Sequence, residues 1–286
     1  MTDSEPRPSV GRVVAIAGVK GGCGKTTLAI GLWGVLAEAG LRTALADADP
    51  LAAAIHGLRR QPLETLRRAL PLRGKDGLRS WLEGLAGLRA AADLVLLDLP
   101  PADPLPLAAA ALTSDLVLLP VAPTALDLAA ARVTLGWLER ARAGRRDGRP
   151  HLLAVPSRIA NLHPEARAPL AAIESLGLPL TPPLRLREGH DRAFREGLPV
   201  GSVAAGSPEH RELRAIGRVV LEVLGLLARP SEPAAARPVD GTADAPAAPV
   251  CTAYLDEPPG ARGPLDLGAY RPRLRDRLWP LLLGRR

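Results

Sequence analysis

Two hydrophobic rhythms alternate along most of this chain. Short uninterrupted apolar runs at 13–17, 94–97, 116–121 and 152–155 have the form of strands buried on both faces. Between them, 28–36, 105–112 and 125–143 place apolar residues at helical spacing. Strands that alternate with helices in this way predict an α/β fold, a doubly wound and mostly parallel sheet. At 286 residues and 47% hydrophobic composition, the chain can bury one core of roughly 200 residues with material left over.

The segment joining the first strand to the first helix carries the chemistry. It reads Lys20-Gly21-Gly22-Cys23-Gly24-Lys25-Thr26-Thr27, and arginine supplies all but three of the chain's 37 basic residues. Two of those three lysines, Lys20 and Lys25, flank this loop, where a compact ammonium differs from a planar guanidinium. Glycines let successive N–H groups turn inward toward phosphate oxygens, and the helix N-terminus adds its dipole. Lys25 is placed to reach the terminal phosphates of ATP, and the Thr26 hydroxyl to ligate Mg²⁺. An ordinary phosphate loop has glycine five residues before Gly24, whereas Val19 stands here.

With its second lysine, the loop resembles that of the ParA/MinD family of deviant Walker A P-loop ATPases. Two further segments are similar to that family: Leu45-Ala46-Asp47-Ala48-Asp49-Pro50, and Leu94-Val95-Leu96-Leu97-Asp98-Leu99-Pro100-Pro101. The resemblance implies a P-loop NTPase fold and slow, partner-stimulated ATP hydrolysis in a homodimer formed when ATP is bound. It also implies that loop residues 20–27 bind nucleotide, that Lys20 reaches the partner copy's phosphates, and that Asp49 activates water. Asp98 holds Mg²⁺ on this reading, with Asp47 near the metal. The alternative for these aspartates is that they cap the helices that follow. Many ParA proteins have glutamine after the Asp-Pro pair, where this chain has Leu51. Ser157 and Arg158, at the end of a strand, stand where the family places its base-reading loop. His190 stands where an aromatic is usual and is assigned no chemistry.

Charge bears on partners. With a net charge of +7, Arg185, Arg187, Arg192, Arg195 and Arg214 are candidates for non-specific DNA binding that family resemblance ties to the ATP dimer. An arginine-rich solvated face is the competing reading, because aromatic residues that could stack on bases are only 2% of the chain. Two cysteines are too few for a disulfide framework, and they exclude the cluster-carrying relatives of this family. The polar N-terminus has no signal-peptide pattern and no apolar run reaches membrane-spanning length, so a cytoplasmic, nucleoid-associated protein is expected.

Domain organisation follows from texture. Residues 1–228 form the expected ATPase domain. Residues 229–264 are rich in Ala and Pro without periodicity and predict a disordered linker. In 265–286, Leu274, Leu278, Leu281 and Leu282 share one helical face among Arg273, Arg275, Arg277, Arg285 and Arg286, with Pro280 interrupting. This basic amphipathic tail suits a partner protein, the domain itself, or an anionic membrane through 273–286. The leading expectation is therefore a partition-type ATPase that positions DNA or another cargo with a ParB-like stimulating adaptor. The alternative is a MinD-like ATPase that cycles on a membrane. A metabolic ligase of the dethiobiotin synthetase kind shares the fold, but the pairing of Lys20 with Asp49 favours the dimeric switch.

Overall fold

The structure, a computed structural model, describes residues 10–61, 66–72, 74, 77–159 and 167–226, without the side chains of 167–169. The expected linker and tail lie outside the described residues. Seven strands and nine helices alternate among the described residues: β1 Arg12–Ile16, α1 Lys25–Glu38, β2 Thr43–Asp47, α2 Ala53–Gly57, β3 Arg67–Ala69, α3 Leu78–Ala91, β4 Leu94–Asp98 and α4 Pro104–Thr113, then β5 Leu116–Val121, α5 Ala125–Arg142, β6 His151–Ile159, α6 Arg167–Glu174, β7 Leu184–Arg185, α7 Glu188–Glu196, α8 Val200–Val203 and α9 Pro208–Leu224. Every strand pairing is parallel, in the order β3-β2-β4-β1-β5-β6-β7. The expected doubly wound sheet is observed.

The central strands are apolar throughout because helices cover both of their faces. Val13 and Ala15 of β1 point into a core shared with α3, α4, α5 and α6. Val14 and Ile16 point the other way, toward α1, α2, α7, α8 and α9. From β1 the chain first builds β2 to β4 on one side and then β5 to β7 on the other. Open α/β sheets bind ligands outside the carboxyl ends of their strands at such a reversal, and the glycine-rich loop leaves β1 there.

Helix α1 is buried from Leu28 to Leu36, between the sheet and the helices that close the chain's described part. Two glycines make that close packing possible. A Cβ at Gly31 would lie 2.5 Å from Leu213, and one at Gly34 would lie 2.5 Å from Pro199. The helix that begins at the loop is thus clasped by α8 and α9 at their closest approach.

Gly31 and Gly87 should respond oppositely to alanine. Overpacking costs about 1–3 kcal/mol against a helix-propensity gain near 1 kcal/mol, so Gly31→Ala is expected to lower Tm. Gly87 lies exposed on α3 with nothing within 4 Å of an added Cβ, so Gly87→Ala should stabilise by about 0.5–1 kcal/mol. Calorimetry on the two variants checks the pair, and a Gly31→Ala protein at least as stable as wild type would contradict this packing.

Candidate functional site

The loop between β1 and α1 has several of its carbonyls held by side chains. Gly22 and Gly24 adopt φ values of +77° and +99°, a left-handed conformation that L side chains rarely adopt. Lys25, almost buried, donates to the Lys20 carbonyl at 2.9 Å, and the Cys23 thiol contacts the same oxygen at 3.4 Å. Burial pushes the Cys23 thiol pKa up despite nearby Lys25, so it stays protonated and packs as a small residue. From β6, the Ser157 hydroxyl donates to the Cys23 carbonyl at 2.7 Å and Arg158 to that of Gly22 at 3.0 Å.

Ser157 and Arg158 stand in the last three residues of β6 and bond the loop itself, and both also line the cavity beside it. Arg158 has φ +53°, which turns its backbone out of the ordinary strand path. Ala52 and Ala102, at φ +50° and +55°, follow β2 and β4 in the same way. Three non-glycine residues in this costly region therefore cluster on one edge of the sheet, where strain is commonly kept for function.

Asp98 ends β4 at the floor of the site. Its Oδ2 accepts the Thr26 hydroxyl at 2.8 Å, while its Oδ1 is buried with no partner. Burial, opposed by the Thr26 bond and reinforced by the Asp47 charge, raises the carboxyl pKa to about 7. An orphaned carboxylate oxygen beside a hydroxyl fits Mg²⁺, which takes one or two carboxylates together with phosphate and water oxygens. No cluster of three or more His, Cys, Asp or Glu among the described residues could hold a metal without such help.

Asp47, the register partner of Asp98, also caps a helix. Its Oδ1 accepts from the Asp49 N–H at 3.1 Å, and its Oδ2 from those of Ala54 and Ile55 at 2.8 and 3.2 Å. Those bonds satisfy the first amides of α2 and occupy both oxygens. Asp49 sits partly exposed above it, with Oδ1 accepting from the Leu51 N–H at 2.9 Å. At its other end, the α2 segment holds α7: Arg59 donates to the carbonyls of Phe194, at 3.0 Å, and Arg195, and the Arg60 N–H donates to Gly197 at 3.1 Å.

Lys20 is held by a residue that the sequence reading missed. Its ammonium meets the Asp127 carboxylate at 2.6 Å, with the lysine a third exposed and the aspartate buried. Burial raises the Asp127 pKa, but hydrogen bonds from Lys20 and Thr124 outweigh it and leave the carboxyl below its ordinary value. Thr124 caps α5, accepting from the Asp127 N–H at 3.1 Å. A threonine followed three residues later by an acid at the start of a helix is a capping signature, and it was the available signal.

Beside the loop, toward β6, β7 and α7, lies a cavity of about 410 Å³ lined by Gly24, Thr27, Ser157, Arg158, His190 and Phe194 among others. That volume suits a small-molecule site. Burial lowers the His190 pKa, so the ring is neutral. The candidate DNA-binding arginines divide into two groups. Arg185 and Arg187 both face Glu212, at 3.5 and 2.8 Å, so one carboxylate offsets part of their charge within the domain. Arg192, Arg195 and Arg214 are exposed, and Arg195 pairs with Asp191 one turn away at 2.8 Å.

Comparisons with known proteins fit this geometry. A family model described as the CobQ/CobB/MinD/ParA nucleotide binding domain matches residues 14–228. The maintenance of carboxysome distribution protein A of Halothiobacillus neapolitanus is 32% identical over 196 residues, which cover 67% of this chain and 88% of that protein. Among solved structures, the ATP complex of a Cyanothece McdA variant is similar at TM-score 0.60 and 17% identity, covering 78% of this chain and all of its own. The Mg-ADP complex of Pyrococcus horikoshii MinD gives TM-score 0.61 at 19% identity, covering 77% and 99%. No described helix is long and apolar enough to cross a membrane.

The Asp98 environment yields a pH signature in protein without nucleotide or metal. The folded carboxyl keeps its proton up to about pH 7, whereas the unfolded one releases it near ~4. Its contribution is therefore fully present below that lower value and is lost as pH rises through 7. Asp98→Asn should match wild type near pH 4 and exceed its Tm by roughly 8–16 °C at pH 8. Thermal melts across that range check this, and identical pH profiles would show that Asp98 is not held as described.

Proposed function

The chain belongs to the CobQ/CobB/MinD/ParA nucleotide-binding family, and from that premise we propose an ATPase that dimerises on ATP and positions a cargo. The observation that carries this reading is Lys20. The phosphate-holding residues of this reading all follow Lys20, yet a second ammonium stands at the loop's entrance, paired with Asp127 in the single chain. A ligand shifts such a pairing only by binding the alternative state better. The terminal phosphate of a nucleotide on a second copy is an alternative anion of higher charge.

In the proposed site, Lys25 and the amides of 21–27 hold the phosphates, and the cavity toward β7 takes the nucleoside. Thr26 and the orphaned oxygen of Asp98 would hold Mg²⁺, which when bound neutralises charge on the phosphate oxygens. Asp49, exposed above the site, orients the attacking water. Lys20, supplied across the dimer, acts as arginine fingers do, and such fingers are worth about 10³–10⁵ in rate.

The cargo reading is supported by the relative that maintains carboxysome distribution. We read residues 1–228 as the ATPase domain, 229–264 as a linker and 265–286 as a docking tail. Arg192, Arg195 and Arg214 form the DNA surface, and two weak patches joined in a dimer bind more tightly than one. A stimulating adaptor protein releases the dimer by promoting hydrolysis. The basic amphipathic pattern of 273–286 favours one second reading, a membrane-cycling ATPase of MinD type.

Two experiments test this. Light scattering should find wild type monomeric with ADP and dimeric with ATP, Asp49→Ala locked as the dimer, and Lys25→Ala without measurable nucleotide affinity; a wild type that stays monomeric with ATP would sink the reading. Co-sedimentation should show ATP-dependent binding to DNA that weakens about tenfold or more in Arg192→Ala/Arg214→Ala and falls with added salt. Pelleting with anionic liposomes in place of DNA, lost when the chain ends at residue 228, would transfer the assignment to the membrane.

A further inference from the structure

Thr134 is fully buried in the middle of α5, and nothing in the nucleotide reading uses it. Its hydroxyl accepts the Val19 N–H at 3.2 Å and donates to the Ala130 carbonyl at 2.9 Å. The second bond, back to the preceding turn of its own helix, fixes the rotamer and aims the remaining lone pair at the loop. Thr134 lies seven residues after Asp127, so the two share one face of α5 two turns apart. The small residues Ala130 and Ala131 lie between them and let the loop backbone approach the helix.

The face thus holds two successive loop residues by unlike means. Val19 is tied through its backbone and Lys20 through its side chain. The space they line with α5 measures about 10 Å³, at the lower limit for one water. The Val19 amide is taken by α5 and belongs to the attachment.

We propose that Thr134 is a positioning residue for Lys20: its hydroxyl anchors the loop backbone one residue before the lysine, so that Lys20 changes its anionic partner by side-chain rotation alone. This rests on the ATP-dimer reading above. The bond to Val19 is permanent, and the bond to Asp127 is exchangeable. Position 19 accordingly needs a backbone donor and no glycine, consistent with the valine found where an ordinary phosphate loop is glycine.

Thr134→Val keeps the shape and removes the acceptor; Thr134→Ser keeps the hydroxyl. In full-length protein, hydrogen exchange at the Val19 amide should stay slow without nucleotide, with ADP and with ATP, and quicken at least about tenfold in Thr134→Val. That variant should hold ADP within about threefold of wild type, since ADP uses the loop residues after Lys20, but lose about tenfold or more in ATP-dependent dimerisation and turnover. Thr134→Ser should restore both to within about twofold. Wild-type dimerisation in Thr134→Val, equal losses with ADP and ATP, failure of serine to rescue, or a Val19 amide that opens when ATP binds would each overturn the proposal. If wild type itself stays monomeric with ATP, the ATP-dimer reading fails first and this inference with it, which is distinct from a wild type that dimerises beside a valine variant that does so equally well.

Discussion

A loop that offers its amides to a phosphate must send its carbonyls somewhere, and the architecture around this site answers that demand. The Lys20 carbonyl takes bonds from Lys25 and Cys23, that of Gly22 from Arg158, and that of Cys23 from Ser157. A buried carbonyl without a donor is costly, so the Cys23 carbonyl, bonded in a buried position by Ser157, ties the loop to β6. That requires β5 between β1 and β6, and hence the parallel order of the sheet. The left-handed backbone at Arg158 belongs to the same demand, because it returns the guanidinium to the loop.

The charges sort by what they face. Asp115, at the amino end of the sheet, is shared by Arg12, Arg149 and the Val13 N–H, a structural cluster with every oxygen engaged. Glu212 binds Arg185 and Arg187 in the same spirit. At the carboxyl end the pattern changes. Asp98 keeps an oxygen without a partner, and Lys20 is held by an aspartate that it shares with Thr124. Low-dielectric surroundings make an unpaired carboxylate expensive, and a cation delivered with a polyphosphate is the natural relief.

Much of the fold was legible because its central strands are continuous apolar runs and its loop has a fixed residue pattern. The edges were not. β3 reads Arg67-Arg68-Ala69 and β7 has two residues, so neither carries a hydrophobic signal; they become strands by pairing with β2 and β6. Glycines at 84 and 87 interrupt the helical pattern of α3, and tertiary packing of Trp81 and Leu85 overrides that weakness. In the site, residue types were readable but directions were not. The Asp47 cap was one of two readings open from the residues, but nothing local shows that Arg187 meets a glutamate 25 residues away, or that Thr134 reaches a loop 115 residues earlier.

One short element has a further consequence. Asp47 caps the start of α2, and Arg59 and Arg60, just past its end, grip the last carbonyls of α7. A helix of five residues is about one and a half turns, too stubby to bend. It works as a strut: a displacement at the tip of β2 has to be borne by α7 or has to snap the contacts at one end. The shelf bearing Arg192 and Arg195 is in this way braced directly against the strand that delivers Asp49.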